Sequence, residues 1–354
     1  MKRFTVYTAS SLDDALAYLA EYGEEARVLA GGTDLLVWRR EDKVKENHFL
    51  DISGLDELRY LRASAAGLEI GALTTHSQVV SSPLVQERAP LLAEACRTVG
   101  SVQIRNRGTL GGNLVTASPA GDTIPALFCL GARVLLASVR GSRQVPVEEF
   151  FLGPGRTVRQ SDELVTGVLV PNTASVSSPN ATSGMAHAGP GTVSGVADTG
   201  AGTALAEDCY EERHIYLKLG QRNALSISIA SVAVRLSISS EGGCLGSEQA
   251  AGAGQCRQQG QEGRQVCRRR GQGQVCRQVA VAFGAVAPTV VRASRVEEAL
   301  TGVPLNEVVP EEVASLAREE VRPITDIRAS AEYRREMVVA LLTKALRRLR
   351  GETA

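Results

Sequence analysis

The sequence predicts an α+β protein of two or three domains, and three observations carry that prediction. Residues 3–36 keep a β-α-β rhythm, strand-like and helix-like runs go on alternating as far as Pro171, and the chain closes from about Ser330 on apolar residues at helical spacing. Two low-complexity stretches, 172–212 and 245–275, interrupt this order and divide the chain into segments 1–171 and 213–349. With 354 residues there is ample chain for a core.

FTVYTA alternates as a strand, and Ser11 with Asp14 has the spacing of a capping box for the amphipathic helix LDDALAYLAEYG. ARVLA is a short buried strand that stops at GGTDLL, followed by a helical run LLVWRRE and a strand at HFLDI. GLEIGALTT is a strand with His76 at its end, and SSPLVQERAPLLAEACRTVG is a helix punctuated by prolines. RGTLGGNLVTASPAGD (107–122) has the composition of a turn, with Ser118-Pro119 shaping it, and leads into the apolar TIPALFCLGARVLLAS. After the first low-complexity stretch, HIYLKLGQRNALSISIASVAVRLSIS and VAVAFGAVAPTVVRA are strand-like. In the terminal helix, Met337, Val338, Leu341, Leu342, Ala345, Leu346 and Leu349 form one apolar face.

Composition narrows the function. Lys+Arg and Asp+Glu are equal at 39 each, so no overall charge draws the chain to nucleic acid or an anionic membrane. No apolar run approaches the roughly twenty residues of a membrane span, and the N-terminus has no uninterrupted apolar stretch of a cleaved signal. Cys96, Cys129 and Cys209 have the look of reduced thiols, and a cytoplasmic protein is expected.

GGTDLL (31–36) and TLGGN (109–113) share a design: each follows an apolar stretch and presents paired glycines beside a threonine, Thr33 or Thr109. Glycine permits positive φ and close approach of a ligand, and successive N–H groups in such a turn form a nest for an anion such as phosphate. Two ordinary tight turns are the bland alternative. G-x-G-x-x-G, G-x-x-x-x-G-K-[ST], G-x-S-x-G and H-E-x-x-H are all missing, which leaves the usual nucleotide folds and hydrolase chemistries without support.

RVLAGGTDLL, then IRNRGTLGGNLVTASPAGD, then FFLGPGRT and YLKLGQR, in that order, resemble the FAD-binding subunit of the molybdenum hydroxylases, the group of xanthine dehydrogenase and carbon monoxide dehydrogenase. The resemblance implies an FAD-binding region of two α+β subdomains, of the PCMH or vanillyl-alcohol-oxidase-like type, and a C-terminal α+β domain with a small antiparallel sheet and helices. It implies that FAD lies between the subdomains with its pyrophosphate clasped by the two glycine turns. Leu29, Ala30, Gly31, Gly32, Thr33 and Asp34, with Arg27 just before, would form one clasp, and Thr109, Gly111, Gly112 and Asn113 the other. Replacing Gly111 and Gly112 by valine is then expected to abolish FAD binding and leave the fold largely intact. Asp122 would accept ribose hydroxyls on the adenosine side, Val99 and Gly100 would line the isoalloxazine, Val165 its other side, and Lys218 would sit at the flavin's polar edge. Residue by residue, Val165 also suits a core strand and Asp122 a helix cap.

No residue stands out as general acid, base or nucleophile, as expected where a cofactor does the chemistry. The family implies a molybdenum-cofactor large subunit and a [2Fe–2S] small subunit as partners, with NAD or a quinone as acceptor. This chain has no C-x₄-C-x₂-C iron–sulfur spacing of its own. A stand-alone flavin oxidase and a non-catalytic scaffold are the rival readings. Cys244, Cys256, Cys267 and Cys276 match the ligand count of the extra [4Fe–4S] cluster of the hydroxybenzoyl-CoA reductases, yet lack any C-x-x-C pair, so an insert that binds no metal is expected.

Overall fold

The computed structural model describes residues 4–172, 210–222, 225–240 and 274–352. Nearest the N-terminus, β1 (Thr5–Thr8), β3 (His48–Asp51) and β2 (Ala26–Leu29) lie side by side in that order as a parallel sheet. Between β1 and β2 runs α1 (Leu12–Tyr22), whose buried Ala15, Leu16, Tyr18 and Leu19 recur at helical spacing. Ser11 Oγ accepts the Asp14 N–H at 3.1 Å. The Asp14 carboxylate accepts from the Ser10 N–H at 2.8 Å and the Tyr7 hydroxyl at 2.6 Å instead of reaching back to Ser11, so half of the expected capping box forms. Aspartate is one methylene shorter than the glutamate of the full motif, and Tyr7 and Ser10 compete for it. The helix α2 (Leu35–Arg40) follows the first glycine turn.

A second, antiparallel sheet runs β4 (Leu61–Ser64), β5 (Gly67–Gly71), β10 (Leu164–Pro171), β6 (Arg133–Ser138), β7 (Gly141–Pro146). Six short helices fill the chain between β5 and β6: α3 (His76–Ser81), α4 (Pro83–Arg88), α5 (Pro90–Arg97), α6 (Val102–Arg107), α7 (Leu110–Thr116) and α8 (Thr123–Cys129). Pro83 and Pro90 open α4 and α5, where a missing N–H costs nothing. His76 opens α3 and does not end a strand, because Thr75 and Gln78 form a complete capping box that turns the chain into a helix. After α9 (Val147–Phe150), a small ribbon of β8 (Phe151–Gly153) and β9 (Arg156–Thr157) leads into β10.

The C-terminal part is a four-stranded antiparallel sheet, β11 (Tyr210–Gly220), β12 (Ser228–Ser240), β13 (Gln274–Gly284) and β14 (Val291–Arg292), with α10 (Ser294–Leu300), α11 (Pro310–Ser315), α12 (Ala317–Glu320) and α13 (Ala331–Leu349). Pairing starts at Tyr210 and Gln274, inside the stretches expected as inserts, because β12 offers rungs to both neighbours there. Strand alternation splits β12 between two cores. Val232, Val234 and Leu236 pack with Val338, Leu342, Ala345, Leu346 and Leu349 of α13. Burying a leucine or valine there stabilises by about 1.5–3 kcal/mol. Ala233, with Tyr216, Ala280 and Ala282, packs instead into the core built by α5 and α8. The sheet is therefore covered on both faces, once by its own helices and once by helices of the preceding region.

Candidate functional site

The first glycine turn leaves β2 at Leu29, and Gly32 takes φ +72°, a conformation that favours glycine. Among the described residues, the N–H groups of Gly32, Thr33 and Asp34 have no hydrogen-bond partner in the protein. Gly31 lies against the end of α6: a Cβ built on it would stand 2.0 Å from the Arg107 carbonyl oxygen. Asp34 Oδ2 accepts from Thr116 Oγ1 at 3.4 Å. The first glycine turn thus lies against residues 107–108 and reaches the end of α7.

The second segment is built differently from the expected nest. Residues 108–111 run against 72–76 through His76 N–H to Gly108 O (3.1 Å), Leu110 N–H to Thr74 O (3.0 Å) and Gly111 N–H to Ala72 O (2.9 Å). Thr109 is the N-cap of α7 and its Oγ1 accepts the Gly112 N–H at 3.1 Å. Both glycine N–H groups are spent inside the protein, and the glycines serve close packing and a helix start. The free polar groups here are the Thr109 hydroxyl proton and the Asn113 side-chain amide, whose Oδ1 accepts from Thr123 at 2.6 Å.

A third segment follows α5. Gly100 has φ +42°, and Arg105 Nη1 donates to both Val99 O (2.9 Å) and Gly100 O (3.2 Å), fixing that turn. Lys218 Nζ holds Thr98 O at 3.0 Å from β11. The six-residue α6, roughly 9 Å long at 1.5 Å per residue, links the 98–100 turn at its start to the Gly31 contact at its end.

Asp122 differs from expectation. It is 7% exposed, and its two oxygens are taken by Lys218 Nζ (2.6 Å), Ser228 Oγ (2.5 Å) and the Tyr216 hydroxyl (3.2 Å). Burial pushes its carboxyl up, opposed chiefly by the Lys218 ammonium. The aspartate and the lysine, expected at opposite ends of the cofactor, touch one another. Both carboxylate oxygens already accept bonds from within the protein, and little of the side chain is exposed. Val165 is 3% exposed inside the central core and presents no face to a ring. Arg27 turns to Glu46 at 2.6 Å.

Arg105, Tyr216 and Ser228 were not singled out from the sequence. Tyr216 and Lys218 stand two apart on a strand, hence on one face, a signal that was present. Buried His76, its Nδ1 3.6 Å from Cys96 Sγ, is held down to about 4 by burial and is neutral at pH 7. Among the described residues no group of three or more His, Cys, Asp or Glu could hold a metal, and Cys209, Cys244, Cys256 and Cys267 lie outside them. No described helix is long and apolar enough to cross a membrane.

These residues fit an extended dinucleotide. The unpaired N–H groups at 32–34 suit a pyrophosphate, and Lys218 keeps one N–H beyond the two it spends. Fold and site together define an α+β protein built to hold a dinucleotide. Residues 2–173 match the family described as FAD binding domain in molybdopterin dehydrogenase, and residues 265–349 that described as CO dehydrogenase flavoprotein C-terminal domain. The chain is 30% identical over 344 residues, 97% of each chain, to the glyceraldehyde dehydrogenase medium chain of Sulfolobus acidocaldarius. It is 36% identical over 169 residues to the carbon monoxide dehydrogenase medium chain of Hydrogenophaga pseudoflava, covering 48% of this chain and 59% of that one. The solved carbon monoxide dehydrogenase from Hydrogenophaga pseudoflava that lacks the Mo-pyranopterin moiety superposes with a TM-score of 0.75 at 26% identity, covering 100% of this chain and 99% of that one. The chain belongs to the medium-chain FAD subunits of the carbon monoxide and xanthine dehydrogenase family of oxidoreductases.

Proposed function

We propose that this chain holds FAD along α6 and relays electrons within a three-subunit assembly. Electrons would arrive from a molybdenum-cofactor large subunit through the [2Fe–2S] clusters of a small subunit, and leave to NAD or a quinone in the cytoplasm. Residues 1–171 act as the FAD-binding domain and 213–349 as the C-terminal domain. Leu29, Ala30, Gly31, Gly32, Thr33 and Asp34 wrap the pyrophosphate, with the Thr109 hydroxyl and the Asn113 amide as further donors. Val99 and Gly100, pinned by Arg105, face the isoalloxazine, and Lys218 offers its remaining N–H at the polar edge. Bound FAD supplies the two-electron redox chemistry, and the protein supplies position and electrostatics. The observation that carries this reading is that the 29–34, 98–100 and 108–113 segments gather around the ends of one six-residue helix, with Lys218 bound to the 98–100 turn through Thr98 O. The visible absorption spectrum of the purified chain, before and after dithionite, tests it. Flavin bands that bleach are expected, and a protein that stays colourless with added FAD overturns the reading.

A further inference from the structure

We propose that Asp122 sets the redox potential of the bound cofactor by neutralising Lys218, and is not a ribose ligand. This rests on the location of the flavin beside Lys218 given above. Three donors converge on the Asp122 oxygens: the Lys218 ammonium at 2.6 Å, the Ser228 hydroxyl at 2.5 Å and the Tyr216 hydroxyl at 3.2 Å. The Lys218 ammonium can only donate, and at 2.6 Å it favours the ionised carboxylate, so the lysine's positive charge stands next to a negative one. Both side chains are buried, 12% and 8% exposed, where charge is weakly screened. The pair therefore presents zero net charge to its surroundings, and a flavin at Lys218 meets a dipole instead of a cation.

The sign of the effect follows. Two-electron, one-proton reduction leaves one added negative charge on the isoalloxazine. In Asp122→Asn the amide keeps the size of the carboxylate and can still accept from Lys218, and the site gains one positive charge, which favours the reduced form. In Lys218→Met the buried carboxyl loses the ammonium that chiefly opposes its upward shift, takes up a proton and leaves the site without net charge. In the double variant the net charge is zero again. Ser228→Ala removes the 2.5 Å bond to Asp122 and leaves the net charge untouched. Asp122 thus acts as a tuning residue through Lys218, and Tyr216 and Ser228 hold it in place.

The experiment is a spectroelectrochemical titration of the full chain reconstituted with FAD. Asp122→Asn is expected to raise the preference for reduced over oxidised cofactor at least tenfold, which is about 30 mV upward for a two-electron couple. Lys218→Met, the double variant and Ser228→Ala are each expected to stay within threefold of wild type. An Asp122→Asn protein that binds FAD with an unchanged or lower potential overturns the proposal. So does a Ser228→Ala shift as large as that of Asp122→Asn. An Asp122→Asn protein that folds but no longer retains FAD also overturns the proposal, since that result makes Asp122 a ligand of the cofactor. A wild-type chain that binds no FAD removes the site reading and this inference together, whereas bound FAD with no shift removes only the inference.

Discussion

Gly31→Ala isolates the contact on which the first turn depends. Gly31 does not occupy the left-handed region, unlike Gly32, so the substitution tests space and not backbone conformation. The added Cβ would stand 2.0 Å from Arg107 O, 2.8 Å from Arg107 C and 3.2 Å from Gly108 Cα. All three are backbone atoms, so no side chain can swing away, and the turn and the end of α6 must part by roughly 1 Å or more to reach the closest contacts seen in packed interiors. Overpacking of this kind costs about 1–3 kcal/mol, and backbone against backbone belongs at the upper end. At about 1–2 °C per kcal/mol for a chain of this length, a loss near 3 kcal/mol lowers Tm by roughly 3–6 °C. The same displacement separates the 32–34 donors from α6, and a misplacement near 1 Å can cost about 100-fold in a function that needs fixed geometry. Thermal unfolding of the FAD-free chain and a fluorescence titration with FAD measure the two effects. Gly54→Ala is the control, since a Cβ there meets nothing within 4 Å. Wild-type Tm and FAD affinity in Gly31→Ala would refute the reasoning.

The remaining predictions concern other parts of the chain. Gly111→Ala should lower Tm because its Cβ would meet Ala72 Cβ at 2.7 Å and Ala72 O at 2.9 Å, whereas Gly112→Ala meets only Thr109 Oγ1, at 2.9 Å, and should stay within about 1 kcal/mol of wild type, since it gains helix propensity. The expectation that valines at both positions empty the site and spare the fold is therefore withdrawn, and circular dichroism of the double variant should show lost structure. His76 is held near 4 when folded against 6.5 free, so the unfolded chain binds the extra proton between these values and stability falls as pH drops from 6.5 to 4. The loss is roughly 3 kcal/mol, and the difference in pH slope between wild type and His76→Leu in urea melts should contain it. Arg334 is buried and donates to Ile229 O at 2.9 Å, Ala285 O at 2.7 Å and Asp326 at 2.7 Å. Arg334→Met should destabilise by about 3–5 kcal/mol in denaturant unfolding, with a smaller loss counting against it. Ser330→Ala removes the cap of α13 and should cost about 1 kcal/mol by the same assay.

What the sequence disclosed was mostly local. The run from Thr5 to Asp51 and the apolar face of α13 obey short-range periodicity and are found where expected, whereas the single helix expected over 81–100 is divided into α4 and α5 by the prolines that open them. TLGGN was misread as a turn because two glycines outweigh a threonine in composition, although that threonine is the N-cap of a helix. The Asp122–Lys218 pair escaped notice for another reason. Its members are 96 residues apart and meet only because β11 packs on α5 while α8, which Asp122 precedes, packs on the neighbouring strands β12 and β13. Val165 looked equally suited to a ring face and to a core, and register decided the matter: it pairs with Leu136 in the middle strand of the sheet.

The double cover of the C-terminal sheet bears on how the chain can be divided. Every residue of α8, from Thr123 to Cys129, is buried, and part of that burial comes from strands beyond residue 210. A polypeptide ending at residue 172 would leave this helix greasy and uncovered, while one starting at 210 would lack a lid for Tyr216 and Ala233. Each piece completes the other, much as the halves of a split reporter do. Two genes encoding 1–172 and 210–354 should therefore yield fragments that are insoluble apart, that are recovered together when co-expressed, and that melt in a single transition.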